Sequence, residues 1–196
     1  MAEVRKNFLY NEVLPRTERL HWLVAATGLG FRYSLLRSGS ILLMVGLSGL
    51  SVIYFLRAFE PVIEDVGPEF STAYSPVTES PELLRQFQYI ASALTLLGIL
   101  FKLLLWQGQA ELLLVSVSTL LITISLKWAT SQQACSILLI GSLGLLIWLV
   151  PTETLVRTFY RDDPALVEKM LFQHQHPGDK AATAEVLRLL NARRNR

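Results

Sequence analysis

Apolar residues in this chain neither alternate with polar ones nor mark a single helical stripe; they come in long runs set off by short polar breaks. Four runs stand out: SGSILLMVGLSGLSVIYFL over 38–56, FQYIASALTLLGILFKLLLW over 87–106, AELLLVSVSTLLITISL over 110–126 and ACSILLIGSLGLLIWLV over 134–150. Each holds about 17–20 residues, which at ~1.5 Å of rise per residue covers ~30 Å of hydrocarbon. Only segments that close their own backbone hydrogen bonds are tolerated there, so each run predicts a membrane-spanning helix. Trp106, Trp128 and Trp148 fall at or near the predicted ends, where amphipathic rings collect at the lipid–water interface. A fifth stretch, LHWLVAATGLGFRYSLL over 20–36, is short and interrupted by Arg32. It is expected as an interfacial or half-inserted helix with Arg19, Arg32 and Arg37 reaching headgroups; a fifth span is the alternative.

The predicted architecture is therefore all-α: a polytopic membrane protein with four transmembrane helices over 38–150. An interfacial segment over 1–37 precedes them, a loop over 57–86 follows the first span, and a short helical tail covers 151–196. The loop carries six carboxylates beside Arg57 and Arg85, whereas Lys and Arg crowd the flanks before the first span and after the last. The positive-inside rule then puts both termini in the cytoplasm and the acidic loop outside. Pro61, Pro68, Pro76 and Pro81 make that loop irregular, and Ser80-Pro81 predicts an early start for the second helix. In the tail, Asp163-Pro164 predicts a helix cap, His176-Pro177-Gly178-Asp179 a turn, and KAATAEVLRLLNARR an amphipathic helix with Ala182, Val186 and Leu190 on one stripe.

The chain also resembles itself at an offset of seventy positions. FRYSLLRSGSILLMVGLSGLSVIYFLR from Phe31 to Arg57 faces FKLLLWQGQAELLLVSVSTLLITISLK from Phe101, aligning Arg32 with Lys102 and Arg57 with Lys127. An internal duplication is one reading and chance matching of leucine-rich helices the other. The hairpin LGILFKLLLWQGQAELLL resembles that of the GldL-type gliding-motility membrane proteins and their multi-pass relatives, through Gly98, Phe101, Lys102, Trp106, Gly108 and Ala110. Gln107 stands where that family has proline and Leu105 where many members have histidine. The resemblance spans 98 to about 126, or twice that with the repeat, and implies a bacterial inner membrane. GldL-type motor subunits carry a glutamate inside the second helix; here LLLVSVSTLLITI has no carboxylate, so proton-motor activity does not carry over.

Composition sharpens this reading. The 196 residues are 52% hydrophobic and 17% charged, with a mean hydropathy of +0.40, whereas soluble domains carry about 25% charged residues. A net charge of +2 supplies no basic field for nucleic acid. The single cysteine, Cys135, excludes an internal disulfide and reads as a packing residue. The start of the chain lacks a signal-peptide pattern. No nucleotide loop, nucleophile–base pattern or zinc motif is present, so no enzyme and no cofactor are expected. His174 and His176 read as a solvated turn; a metal would need further ligands from Glu168 or Asp179.

The charges that remain are Lys102 and Glu111, flanking the break at Trp106-Gln107-Gly108-Gln109. Lys102 lies about 6 Å from the turn, within snorkelling reach, and Glu111 opens the next helix. Both are expected to mark a membrane turn, pairing across it and, with Arg32, contacting lipid or a partner; an ion relay is the alternative. Gly46, Gly49, Thr119 and Thr123 are expected to pack helices, or else to line a conduit. The function expected is a non-catalytic accessory or scaffold subunit, with the bilayer and other membrane subunits or itself as partners. An oligomeric channel or small transporter is the competing class, and a membrane sensor a third.

Overall fold

The protein is described by a computed structural model covering residues 9–36, 38–60, 80–106, 108–129, 135–176 and 178–194. It is all-helical over these residues. After a π-helical turn at Leu9–Val13 come α1 (Leu14–Tyr33), α2 (Ser38–Ala58), α3 (Ser80–Leu104), α4 (Gln109–Ala129) and α5 (Cys135–Leu149). The tail forms α6 (Thr152–Phe159), α7 (Pro164–Gln175) and α8 (Lys180–Arg194). Most of the acidic loop and the side chain of Cys135 lie outside the described residues.

Two helices are long and apolar enough to cross a membrane, at Ser38–Arg57 and Leu83–Leu104. A third candidate is the pair Ile137–Leu149 and Thr152–Phe159, which bends by 86° at the break between them; Gln109–Ser125 is a shorter apolar helix. The prolines explain both the bend and an early helix start. Pro151 lacks an amide hydrogen and stops α5, while α3 opens at Ser80-Pro81, ahead of its apolar run.

The stretch read as an interfacial helix is different in the structure. An in-plane helix would touch α2 at one crossing point, but α1 runs antiparallel along nearly all of it. Tyr54 Oη donates to Glu18 Oε1 at 2.7 Å and Arg57 pairs with Glu18 at 2.7 Å at one end. Midway, a Cβ on Gly46 would stand 2.6 Å from Ala25 N. At the other end one on Gly28 would stand 2.6 Å from Leu43 N. Arg16, Glu18 and Arg19 lower the hydropathy of α1, so composition hides a helix that glycine contacts and an ion pair hold in place.

From there the chain runs up and down. Ser51 Oγ donates to Ala93 O at 2.9 Å and Tyr54 meets Tyr89 with ring centroids 6.2 Å apart, fixing α3 antiparallel to α2. Gly98 abuts Leu113, and α5 fills the groove of α3 and α4, with Gly144 against Thr95 and Val117 and Gly141 against Leu120. The start of α1 and the end of α5 thus sit at opposite ends of the bundle. α1 is a fifth antiparallel element beside α2 to α5.

The seventy-residue offset recurs in three dimensions. α1 closes with Leu35 at φ 63° and α3 with Leu105 at φ 61°. Leu36 N donates to Phe31 O and Leu35 N to Arg32 O, as Trp106 N does to Phe101 O and Leu105 N to Lys102 O. Both are Schellman closures, and in the second the expected apolar contact is an edge-on Phe101–Trp106 pair at 5.0 Å. Buried positions match as well: Gly39, Leu43, Gly46, Leu47, Leu50 and Ile53 on α2 against Gln109, Leu113, Ser116, Val117, Leu120 and Thr123 on α4. Gly28 faces Leu43 as Gly98 faces Leu113. The two hairpins share these closing turns, buried positions and glycine contacts.

Candidate functional site

The polar chemistry of the bundle gathers at the end where α1, α3 and α5 finish. Lys102 lies on the last turn of α3, four residues before Trp106, and its repeat equivalent Arg32 lies on the last turn of α1. Both are buried, at 6% and 8% exposure. Neither points along the expected path.

Lys102 does not snorkel past the turn to Glu111. Its Nζ crosses to α5 and donates to Trp148 O at 2.8 Å. That carbonyl belongs to the last turn of α5, where backbone acceptors lack intrahelical partners and the helix dipole is negative. A cation placed there satisfies an orphan acceptor and compensates the dipole. Glu111 stays exposed on the first turn of α4, and among the described residues it forms no ion pair. The two charges therefore flank the turn without joining across it.

Arg32 reaches the other end of the elbow. Its guanidinium lies 4.6 Å from the Phe159 ring centroid and 6.0 Å from that of Tyr160, and its Nη1 donates to Ser40 Oγ at the start of α2. Between these points Gln109 Nε2 donates to Thr152 Oγ1 at 3.4 Å. α6 is thus a crossbar at right angles to α5, fastened at its start to the second repeat and at its end to the first. Val156 and Phe159 are its buried residues. Arg161 then stands 5.6 Å from the Tyr33 ring centroid.

Beyond the crossbar the tail folds as an αα-hairpin. Asp163 Oδ1 caps α7 by accepting from Leu166 N at 3.1 Å, and Asp179 Oδ1 caps α8 by accepting from Ala181 N at 2.8 Å. Lys169 pairs with Glu185 at 3.3 Å across it, and Leu166, Val167, Ala182 and Val186 are buried. His176 stacks on Phe172 at 4.4 Å. Among the described residues no group of three or more His, Cys, Asp or Glu is placed to hold a metal ion.

Of the residues expected to pack helices, Gly46 and Thr123 are buried and Gly49 and Thr119 are partly buried. A Cβ on Gly46 would strike the Ala25 backbone, and one on Gly49 would strike the His21 ring. Thr123 is buried and its Oγ1 donates to Thr119 O at 2.7 Å; Thr119 Oγ1 donates in turn to Val115 O at 2.8 Å. Ser116 on the same helix donates to Leu113 O, and Ser92 and Thr95 donate to Gln88 O and Ala91 O. Each hydroxyl is satisfied by its own helix, which lets Ser92, Thr95, Ser116 and Thr123 sit in an apolar core at little cost.

The apolar runs gave no sign of Gln109, Thr152, Phe159 and the Glu18–Tyr54–Arg57 cluster. The offset already paired Arg32 with Lys102, and extending it three residues on each side would have paired Gly28 with Gly98. Compared with models of protein families, with curated proteins and with solved structures, the chain matches none of them.

Proposed function

We propose that this protein is a non-catalytic scaffold of a bacterial inner membrane, an accessory subunit that packs in the bilayer and presents its tail to other subunits of a complex. In this reading α2 to α5 form the four expected crossings, and α1, antiparallel along α2, is the fifth that was the alternative. The crossbar and tail face the cytoplasm, because Arg32, Lys102, Arg157 and Arg161 stand at that end of the bundle and the sequence of 151–196 is rich in Lys and Arg. The start of α1 then faces the other side. The GldL-type resemblance of the second hairpin supports the bacterial setting.

The observation that carries the scaffold role is the state of the hydroxyls. A conduit needs polar groups that turn toward a lumen and exchange partners with its contents. Here Ser92, Thr95, Ser116 and Thr123 are buried and bonded to backbone carbonyls of their own helices. That is how polar residues serve close helix packing in lipid.

The test is the native mass of the gently solubilised protein from its own cells, with co-purifying chains identified. A stable assembly with other proteins is expected. A pure homo-oligomer that passes ions or solutes in liposomes would overturn the scaffold reading in favour of a conduit, and a lone monomer would remove it.

A further inference from the structure

The fastening of α6 leaves two cations exposed at this end of the bundle. Val156 and Phe159 are turned into the protein, so Arg157 and, one turn later, Arg161 stand exposed on the other side. With Pro164, Val167, Glu168 and Leu171 they line a groove of about 430 Å³ between the crossbar and α7. Its level follows from two further features. Trp106 and Trp148 are partly exposed at this end of the bundle, at 42% and 39%, as interfacial tryptophans are. The chain then turns by 86° into α6, which in the membrane placement proposed above runs along the headgroup layer.

We propose that this groove seats the headgroup phosphate of an anionic glycerophospholipid. Arg157 and Arg161 supply planar guanidiniums that bind phosphate oxygens in pairs, while Val167 and Leu171 offer an apolar wall for the first carbons of an acyl chain. The Tyr33 ring, 5.6 Å from Arg161, orients that side chain without neutralising it. Glu153 reaches Arg157 at 3.9 Å in the open, with side chains 55% and 66% exposed, a contact too solvated to hold the guanidinium against a phosphate. Glu168 is the one carboxylate among the lining residues and opposes the anion, so its removal has a predictable sign. The proposal rests on the membrane placement in the reading above, not on the scaffold role, and a partner-free native mass would leave it untouched.

Native mass spectrometry of the full-length protein in detergent, titrated with dioleoyl phosphatidylglycerol or dioleoyl phosphatidylcholine, tests it. Phosphatidylglycerol should be retained and phosphatidylcholine should not. A basic side chain near an anionic surface is worth about fivefold in affinity. The Arg157→Gln/Arg161→Gln variant should therefore bind phosphatidylglycerol about tenfold to thirtyfold more weakly. Lys180→Gln/Arg188→Gln, which removes the same charge from α8, should bind like wild type. Glu168→Gln should tighten binding about fivefold, and this variant keeps the test decisive if the double arginine variant misfolds. Equal retention of both lipids, equal loss in both double variants, or no gain in Glu168→Gln would overturn the proposal. Displacement of the lipid by inorganic phosphate alone would do so too, by assigning the groove to a soluble anion.

Discussion

Alanine substitutions at three glycines should give three different outcomes, although the chemistry is identical. Gly28 and Gly98 occupy equivalent positions in the two repeats, and Gly30 lies half a turn from Gly28. A Cβ at Gly28 would stand 2.6 Å from Leu43 N and 2.9 Å from Leu42 C. These are backbone atoms of a neighbouring helix, so relief requires α1 and α2 to separate. Overpacking costs about 1–3 kcal/mol, and the upper end applies where no side chain can swing away. Replacing a helical glycine by alanine returns about 1 kcal/mol, so Gly28→Ala should lose about 2 kcal/mol. At Gly98 the nearest atoms are Leu113 Cδ2 and Cγ, both at 2.9 Å. A leucine tip can move, the cost falls to about 1 kcal/mol, and Gly98→Ala should be near neutral. Gly30 has nothing within 4 Å of a Cβ, so Gly30→Ala should gain about 1 kcal/mol. Unfolding of the purified protein in mixed micelles of increasing denaturing-detergent fraction ranks the three. The order Gly30→Ala, then wild type with Gly98→Ala, then Gly28→Ala is expected. If Gly28→Ala matched Gly30→Ala in stability, α1 could not lie as close to α2 as the structure has it.

The remaining predictions probe other contacts. Lys102→Met removes the cation at the end of α5, a helix-terminus interaction of about 1–2 kcal/mol that is offset by relief of a buried charge. It should therefore change global stability little while broadening spin-label distances between Ala110 and Thr154 on a Cys135→Ser background. An unchanged distance distribution would mean that the Lys102–Trp148 contact does not fasten the elbow. In the cluster of Glu18, Tyr54 and Arg57, a double-mutant cycle with Glu18→Gln and Arg57→Gln should return a coupling of about 1–3 kcal/mol, because these half-buried groups share hydrogen bonds; additive losses would dissolve the pairing. Thr123→Val, which deletes only a bond to its own helix, should shift stability by less than about 1 kcal/mol and leave solute flux in liposomes unchanged. A change in flux would put Thr123 on a conduit wall.

The positions of four helices were legible in the chain because hydrophobic run length is a local property of the sequence. The runs 38–56, 87–106, 110–126 and 134–150 reappear as Ser38–Ala58, Ser80–Leu104, Gln109–Ala129 and Cys135–Leu149. The Asp163-Pro164 cap and the last helix are equally local, since side chain and amide lie three residues apart. The repeat was legible too, although leucine matches alone could not separate ancestry from composition. Paired left-handed leucines and matching buried positions make the correspondence structural.

What only the tertiary structure decided were the partners of charged groups. Lys102 and Trp148 are 46 residues apart in sequence, and nothing near the turn shows that a lysine will prefer the end of another helix to water. Its preference arises because α5 ends beside it with unpaired carbonyls, a field that exists only after packing. The contact of α1 with α2 was hidden for the same reason. Averaged hydropathy counts Arg16, Glu18 and Arg19 as costs, whereas the fold pairs Glu18 with Arg57 and Tyr54 and buries the glycine face against α2. Apolar burial is additive along a chain and can be read from it; electrostatic compensation depends on which ends meet, and that is settled only when the helices pack.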